Sequence, residues 1–268
     1  MRPIGLRVPD AIDSTSLRRS LCQGLEQRGD VVAINREAPV GDGGTATQTT
    51  AVPTYRLDED GRWSVTGEEH TLDSLLDRLA PTYDYAVLDG FPDADVPEVA
   101  VGSVDVEEPL YAVDSIDAVD TDAVIDALDD TEPYETLESL VTRIKQAPNA
   151  DRAGAIATFT GRVREKDADD DTPTTHLAFE KYDTVADERM RTIETELEER
   201  DGVQAVLLHH RTGVIEAGED IVFVVVLAGH REEAFRTVED GINRLKDEVP
   251  LFKKEITVEE TFWRHEAE

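Results

Sequence analysis

Apolar residues recur along the chain at two spacings, one suited to strands and one to helices. In the first half, residues 3–8 read as a short strand. Residues 16–28 read as an amphipathic helix with Ser14 or Thr15 as its cap, and 31–35 as a second strand. Gly41-Asp42-Gly43-Gly44 and the threonines up to Thr50 read as a loop. Residues 54–57 and 63–66 flank Asp58-Glu59-Asp60-Gly61 and predict a polar hairpin. Leu72, Leu75, Leu76 and Leu79 share one face of a helix over 71–79. A fully apolar strand over 85–88 runs into Asp89-Gly90-Phe91, a short strand covers 110–113, and 114–131 is acidic and compatible with helix. Strands alternating with helices imply an α/β domain with parallel strands.

The acidic residues around Pro133 mark a boundary, so two domains are expected, 1–131 and 132–268. The second begins with a helix over 137–144 and a loop through Pro148 and Asn149. A strand over 154–163, a polar loop over 164–174, a strand over 176–182 and a helix over 185–200 follow. Strands over 204–209 and 220–227 are joined through Thr212-Gly213 and Ala217-Gly218, and a helix over 232–247 and a strand over 252–258 end the chain. This half is α+β in character, so the fold class is α/β in two domains.

Charge narrows the partners. The 268 residues carry 27 Lys and Arg against 60 Asp and Glu, a net charge of −33. So negative a surface repels phosphate backbones and anionic leaflets, which excludes nucleic acid and membrane surfaces as expected partners. No segment approaches the ~20 apolar residues of a membrane span, and the N-terminus has no continuous apolar run of a signal peptide, so a cytoplasmic protein is expected. Cys22 is the only cysteine, which leaves no disulfide framework and no thiolate zinc cluster; no metal and no cofactor are expected. Regular apolar periodicity argues against disorder. The acidity reads as adaptation to a high-salt, haloarchaeal interior, where the Debye length falls to ~3 Å at 1 M.

Lysine is the exception to this background. Against 21 Arg there are 6 Lys, at positions 145, 166, 181, 246, 253 and 254. Three fall within nine residues near the C-terminus. An ammonium can shift its pKa and act as nucleophile or acid where a guanidinium cannot. A solvated helix face running into a strand end is the plainer explanation of the same cluster.

The first half opens with a strand, a turn and a helix, the arrangement in which helix N-terminal amides bind phosphate. Between residues 5 and 17 there is no Gly-Lys-Ser/Thr and no lysine, and Asp10 and Asp13 would repel phosphate. The opening strand and helix, the strand Val-Val-Ala-Ile-Asn, Leu-Leu-Asp-Arg-Leu, Tyr-Asp-Tyr-Ala-Val-Leu-Asp-Gly-Phe and Val-Pro-Glu-Val occur in an order that resembles the MobB family. Those small P-loop proteins are linked to nucleotide attachment in molybdenum-cofactor synthesis. The resemblance covers residues 1–131 and implies a P-loop-like α/β domain with Asp89 at the family's acidic position. Lacking the Walker A motif, it implies the fold without the GTP site, and a partner or scaffold role.

In the second half, cations stand at strand ends: Arg162 and Arg164, then Arg211 behind His209-His210, then His230 and Arg231, with Lys246, Lys253 and Lys254 beyond. Singly, each is explained by surface pairing or by a structural histidine. Together they suit an anionic, most simply phosphorylated, substrate. Residues 134–268 resemble the large, catalytic subunit of molybdopterin synthase, the MoaE family. The matching stretches run from Gly154-Ala155-Ile156-Ala157-Thr158-Phe159-Thr160-Gly161-Arg162-Val163-Arg164, through Leu177, Glu180 and Tyr182, to His210-Arg211-Thr212-Gly213 and Gly218-Glu219. They continue with Gly229-His230-Arg231, Ala234-Phe235, Leu245-Lys246, Val249-Pro250-Leu251-Phe252-Lys253-Lys254-Glu255 and Trp263.

The resemblance implies an α/β-hammerhead fold and a sulfur transfer. Sulfur passes from the C-terminal thiocarboxylate of a small ubiquitin-like, MoaD-like carrier, whose Gly-Gly tail enters the large subunit, to cyclic pyranopterin monophosphate (precursor Z), forming the dithiolene of molybdopterin. It implies substrate contacts from Arg162, Val163, Arg164, His230, Arg231, Lys254 and Glu255, a weaker one from Arg211, and catalytic roles for Lys246 and Lys253. It also implies a homodimer of large subunits within a heterotetramer. Arginines can hold two anions together for attack. Opening the cyclic phosphate and losing water need proton donors, a role open to Lys246, Lys253 or His230. Release of the carrier falls to water or to a lysine nucleophile, Lys246, that would keep an isopeptide link. The alternative is a non-catalytic module that binds, or is conjugated to, a ubiquitin-like protein.

Overall fold

Hydrophobic burial on both faces of a short parallel sheet organises the first part of the chain. The computed structural model describes residues 1–9, 11–36, 54–57, 59–60, 63–66, 70–166, 168, 172–181, 183–257 and 261–264. It divides into two units, Met1–Thr136 and Leu137–Glu268. In the first, β1 (Arg2–Arg7) and β2 (Val31–Asn35) precede a hairpin of β3 (Thr54–Leu57) and β4 (Trp63–Thr66). Then come β5 (Tyr85–Asp89), β6 (Glu98–Val101) and β7 (Tyr111–Val113). Five of these form one parallel sheet in the order β2-β5-β1-β6-β7. The predicted loop over 41–50 lies outside the described residues.

Three helices cover that sheet: α1 (Thr15–Leu25), α2 (Leu72–Leu79) and α3 (Thr121–Asp129). Leu17, Leu21 and Leu25 of α1 and Val124, Ile125 and Leu128 of α3 pack on Ile4, Leu6, Val87, Val99 and Val101. Leu76 of α2 packs on the other face with Ile34, Ala86 and Leu88. Each such side chain, fully buried, contributes roughly 1.5–3 kcal/mol. The Thr71 hydroxyl caps α2 by accepting from the Ser74 N–H at 3.1 Å, and Asp120 caps α3 by accepting from Ala123 at 3.2 Å.

Three features differ from the sequence expectation. The helix predicted to Arg28 ends at Leu25, its last buried residue, and Arg28 instead reaches Asp126 and Asp129 at 2.6 and 2.5 Å. The acidic stretch 114–131 breaks into a 3-10 turn, Ile116–Ala118, and α3, because Asp120 starts a new helix. Ser14 is the N-cap residue of α1, yet its hydroxyl donates to Asp89 at 2.7 Å, while Asp13 accepts from the Thr15 N–H at 2.9 Å.

The second unit comprises α4 (Leu137–Ile144), β8 (Ala155–Arg162), β9 (Thr174–Lys181), α5 (Asp183–Glu198), β10 (Val203–His210), β11 (Gly213–Glu216), β12 (Asp220–Ala228), α6 (Arg231–Glu248), β13 (Leu251–Thr257) and β14 (Thr261–Arg264). They form two antiparallel sheets, β10-β12-β8 and β11-β9-β13-β14. The apolar run of β12 is central because both its faces are covered. Val222, Val224 and Val226 meet α5 and α6, and Phe223, Val225 and Leu227 meet α4. Gly241 lets α6 lie close to this sheet, since a Cβ there would come within 3.0 Å of Val224 Cγ1. At the outer edge of β10, Glu198 accepts from the Val206 N–H at 2.8 Å and Glu194 from that of Leu208 at 2.6 Å. Among the described residues no helix is long and apolar enough to cross a membrane.

Candidate active site

Strand alternation fixes which side chains meet. On β13, Leu251, Lys253, Glu255 and Thr257 share one face, and Phe252 and Lys254 the other. Lys253 stands opposite Phe179 of β9 in register and Glu255 opposite Leu177, so the four share a face. That face lines a cleft of about 930 Å³. Other walls come from Phe159 to Arg162 of β8, Ile221 and Val222 of β12, His210 of β10, and Ile242, Leu245 and Lys246 of α6, with Arg164, Glu165 and Lys166 following β8.

Each cation is positioned by its own local structure. The turn after β11 is pinned to the end of β8: the Gly218 N–H donates to the Val163 carbonyl and the Val163 N–H to that of Glu219, both at 2.9 Å. Arg162 reaches over this turn to the Gly218 carbonyl and lies 3.3 Å from Asp220. Lys246 sits in the last turn of α6, which is clasped to α5 by Arg189 with Glu248 and Arg244 with Glu196. Arg244 also donates to Glu248 at 2.7 Å and holds that carboxyl below its usual range. Glu255 accepts from the Thr174 hydroxyl at 2.7 Å. Among the described residues no group of three or more His, Cys, Asp or Glu is placed to hold a metal.

Of the residues singled out in the sequence, Arg162, Arg164, Lys246, Lys253 and Glu255 line this one cleft. Val163 is buried beneath it with Leu177, Phe179 and Ile221. Arg211 turns away, donating to the Asp220 carbonyl at 2.9 Å beside Glu219 at 3.6 Å. Lys254 falls on the opposite face of β13. His230 and Arg231 open α6 just beyond Ala228, whereas Arg162 pairs with Asp220 at the other end of β12. Eight strand steps, roughly 26 Å, separate those ends. His210, which the sequence brings out only within the His209-His210-Arg211 strand end and the stretch 210–213, and Lys166 also line the cleft, though the sequence gives neither a site role; the alternation of β10 was the available signal for the histidine.

Guanidinium and ammonium groups around an apolar floor, beside the end of α6, make a cleft of the kind that suits anionic ligands on a mixed α/β scaffold. The family model of the MoaE protein matches residues 131–248. The chain is 58% identical over 212 residues to the probable molybdopterin synthase of Haloferax volcanii, covering 79% of this chain and 81% of that protein. It is 36% identical over 110 residues to the molybdopterin synthase catalytic subunit of Pyrococcus abyssi, covering 41% and 73%. A crystal structure of molybdopterin synthase from Staphylococcus aureus aligns at 30% identity and a TM-score of 0.44, covering 50% of this chain and 93% of that one. The chain belongs to the MoaE family of molybdopterin synthase catalytic subunits.

Proposed function

We propose that the chain transfers sulfur from the C-terminal thiocarboxylate of a small ubiquitin-like carrier to cyclic pyranopterin monophosphate, forming the dithiolene of molybdopterin. The observation that carries this is the convergence of Arg162, Arg164, Lys246 and Lys253 on one cleft in a chain of net charge −33. Two anions, a thiocarboxylate and a cyclic phosphate, need such a concentration of donors to be held together. Lys246 lies on the wall formed by α6 and Lys253 on that formed by β13, so each can serve as proton donor to the opening phosphate or the departing hydroxyl. Purified chain mixed with thiocarboxylated carrier and cyclic pyranopterin monophosphate is expected to yield dithiolene; no product sinks the reading and leaves a carrier-binding module.

His230 and Arg231 serve a cleft only across a subunit boundary, because within one chain they stand at the far end of β12. The homodimer of large subunits expected of the family supplies that boundary, each copy lending its pair to the other's cleft, with a carrier at each end of the assembly.

The first unit is read as a MobB-like, P-loop-like domain without its phosphate site. Numbered within its own sheet, the strand order is 2-3-1-4-5, a doubly wound arrangement whose crevice lies at the carboxyl ends of the strands. Asp89 ends the strand beside β1, and Ser14 and Arg18 already occupy its carboxylate. A scaffold role suits that internal pairing. The 212 residues aligned with the Haloferax protein exceed the length of the second unit, so the likeness extends into the first.

A further inference from the structure

The cleft holds a titratable side chain that the sulfur-transfer reading leaves unused. His210 ends β10 opposite Val222 of β12, which in turn stands opposite Gly161 of β8. This row lines the cleft, yet His210 is only 5% exposed. Gly161 keeps the row free of a third side chain, because a Cβ there would come within 2.5 Å of Val222 Cγ1. The imidazole is fixed from two sides. It meets Phe179 edge-on, with ring centroids 4.8 Å apart, and its Nδ1 lies 2.8 Å from the Arg211 carbonyl oxygen. A carbonyl can only accept, so Nδ1 carries the hydrogen and Nε2 is the basic nitrogen of the neutral ring. His209 takes the other face and stacks on Phe223 at 6.2 Å.

The charged groups that share the cleft differ from His210: Arg164 and Lys166 are cations, and the Glu165 carboxylate stands on the exposed segment that follows β8. Arg162, Lys246 and Lys253 hydrogen-bond only as donors when charged. Glu255 is engaged by Thr174, and Arg211 is turned to the 219–220 turn. Sulfur delivery leaves the carrier's terminal carbonyl joined through sulfur to a pterin carbon, and water must cut that thioester. Resting on the sulfur-transfer reading, we infer that His210 is the general base of this hydrolysis. Nε2 takes one proton from a water molecule as its oxygen bonds to the carbonyl carbon. The carbon–sulfur bond then breaks with its electron pair going to sulfur, leaving a thiolate on the pterin. The carrier departs with the water oxygen as a carboxylic acid, whose proton passes to solvent. No oxidant or reductant is involved.

The test uses the full chain with thiocarboxylated carrier and cyclic pyranopterin monophosphate in single-turnover reactions, quenched and read by intact-mass spectrometry. His210→Gln is expected to slow dithiolene formation ~10²–10⁴-fold and to accumulate the carrier–pterin thioester. Added imidazole is expected to restore the rate of His210→Ala, and His209→Gln to match the unsubstituted chain. A full rate in His210→Gln overturns the assignment. So does a slow His210→Ala that imidazole does not rescue while its thermal midpoint stays unchanged. Absence of product from the unsubstituted chain strikes instead at the sulfur-transfer reading.

Discussion

Arg18 Nη1 lies 2.6 Å from Asp89 Oδ2, and this ion pair joins the first helix of the chain to the end of the central sheet of its first unit. In a nucleotide-binding domain of this strand order, a carboxylate here would face a metal-bound phosphate. In this chain the charge is matched internally, by a guanidinium and by the Ser14 hydroxyl at 2.7 Å. Calorimetry with GTP and magnesium is therefore expected to show no binding, and saturable heat would contradict the scaffold reading. Arg18→Ala takes the guanidinium from a half-buried carboxylate, leaving it the Ser14 hydroxyl, and is expected to cost about 1–3 kcal/mol in urea unfolding.

Lys246 projects from a helix end held by ion pairs that it does not itself make. Lys246→Ala is expected to leave the thermal midpoint within a degree or two while lowering dithiolene formation by ~10²-fold or more. Unfolding followed by circular dichroism, beside a product assay, separates the two effects. Turnover at the full rate would show that Lys253 alone supplies the acid.

The distance between Arg231 and Arg162 along β12 sets a complementation experiment. Arg231→Ala and Lys246→Ala are each expected to be inactive alone. Co-expressed, they form mixed dimers in which one cleft keeps both residues, and about a quarter of full activity returns for a two-fold assembly. No recovery from verified mixed dimers would place each His230-Arg231 pair outside the partner's cleft.

Glu194 gives a pH signature. Burial pushes its carboxyl from the usual 4.5 up to about 7, with nearby Glu198 adding to the shift and the Leu208 N–H, Arg143 and Arg191 opposing it. The native chain thus holds a proton that the unfolded chain has already lost, so stability falls as pH rises from 4.5 through 7. Glu194→Gln keeps an acceptor for Leu208 and removes the charge. It is expected to raise stability at pH 8 by up to about 3 kcal/mol and to flatten the urea midpoint between pH 5 and 7.

What could be read from the sequence follows the strength of the local signal. The run of β12, the leucines of α2 and the buried face of α6 specify their elements through periodicity alone. β6, β11 and β14, four residues each, are too short to show a period and exist because a neighbour offers an edge. Arg162, Lys246 and Lys253 stood out by charge against an acidic chain. His209-His210 stood out as a pair but with no role for either ring, because only the pairing with Val222 decides which of them faces the cleft. The separation of His230 and Arg231 from that cleft was equally hidden, since it follows from the antiparallel course of β8, β12 and α6.

The glutamates along β10 matter most where electrostatic repulsion is weakest. At molar salt the net charge of −33 no longer keeps copies apart beyond a few ångströms, and apolar association strengthens with salting-out ions. A bare strand edge would then recruit another strand. Glu198 accepts from the Val206 N–H and Glu194 from that of Leu208 at hydrogen-bond range, where ionic screening is least effective. Those two side chains give the edge a protection against fibril-like pairing that holds in brine as well as in dilute buffer.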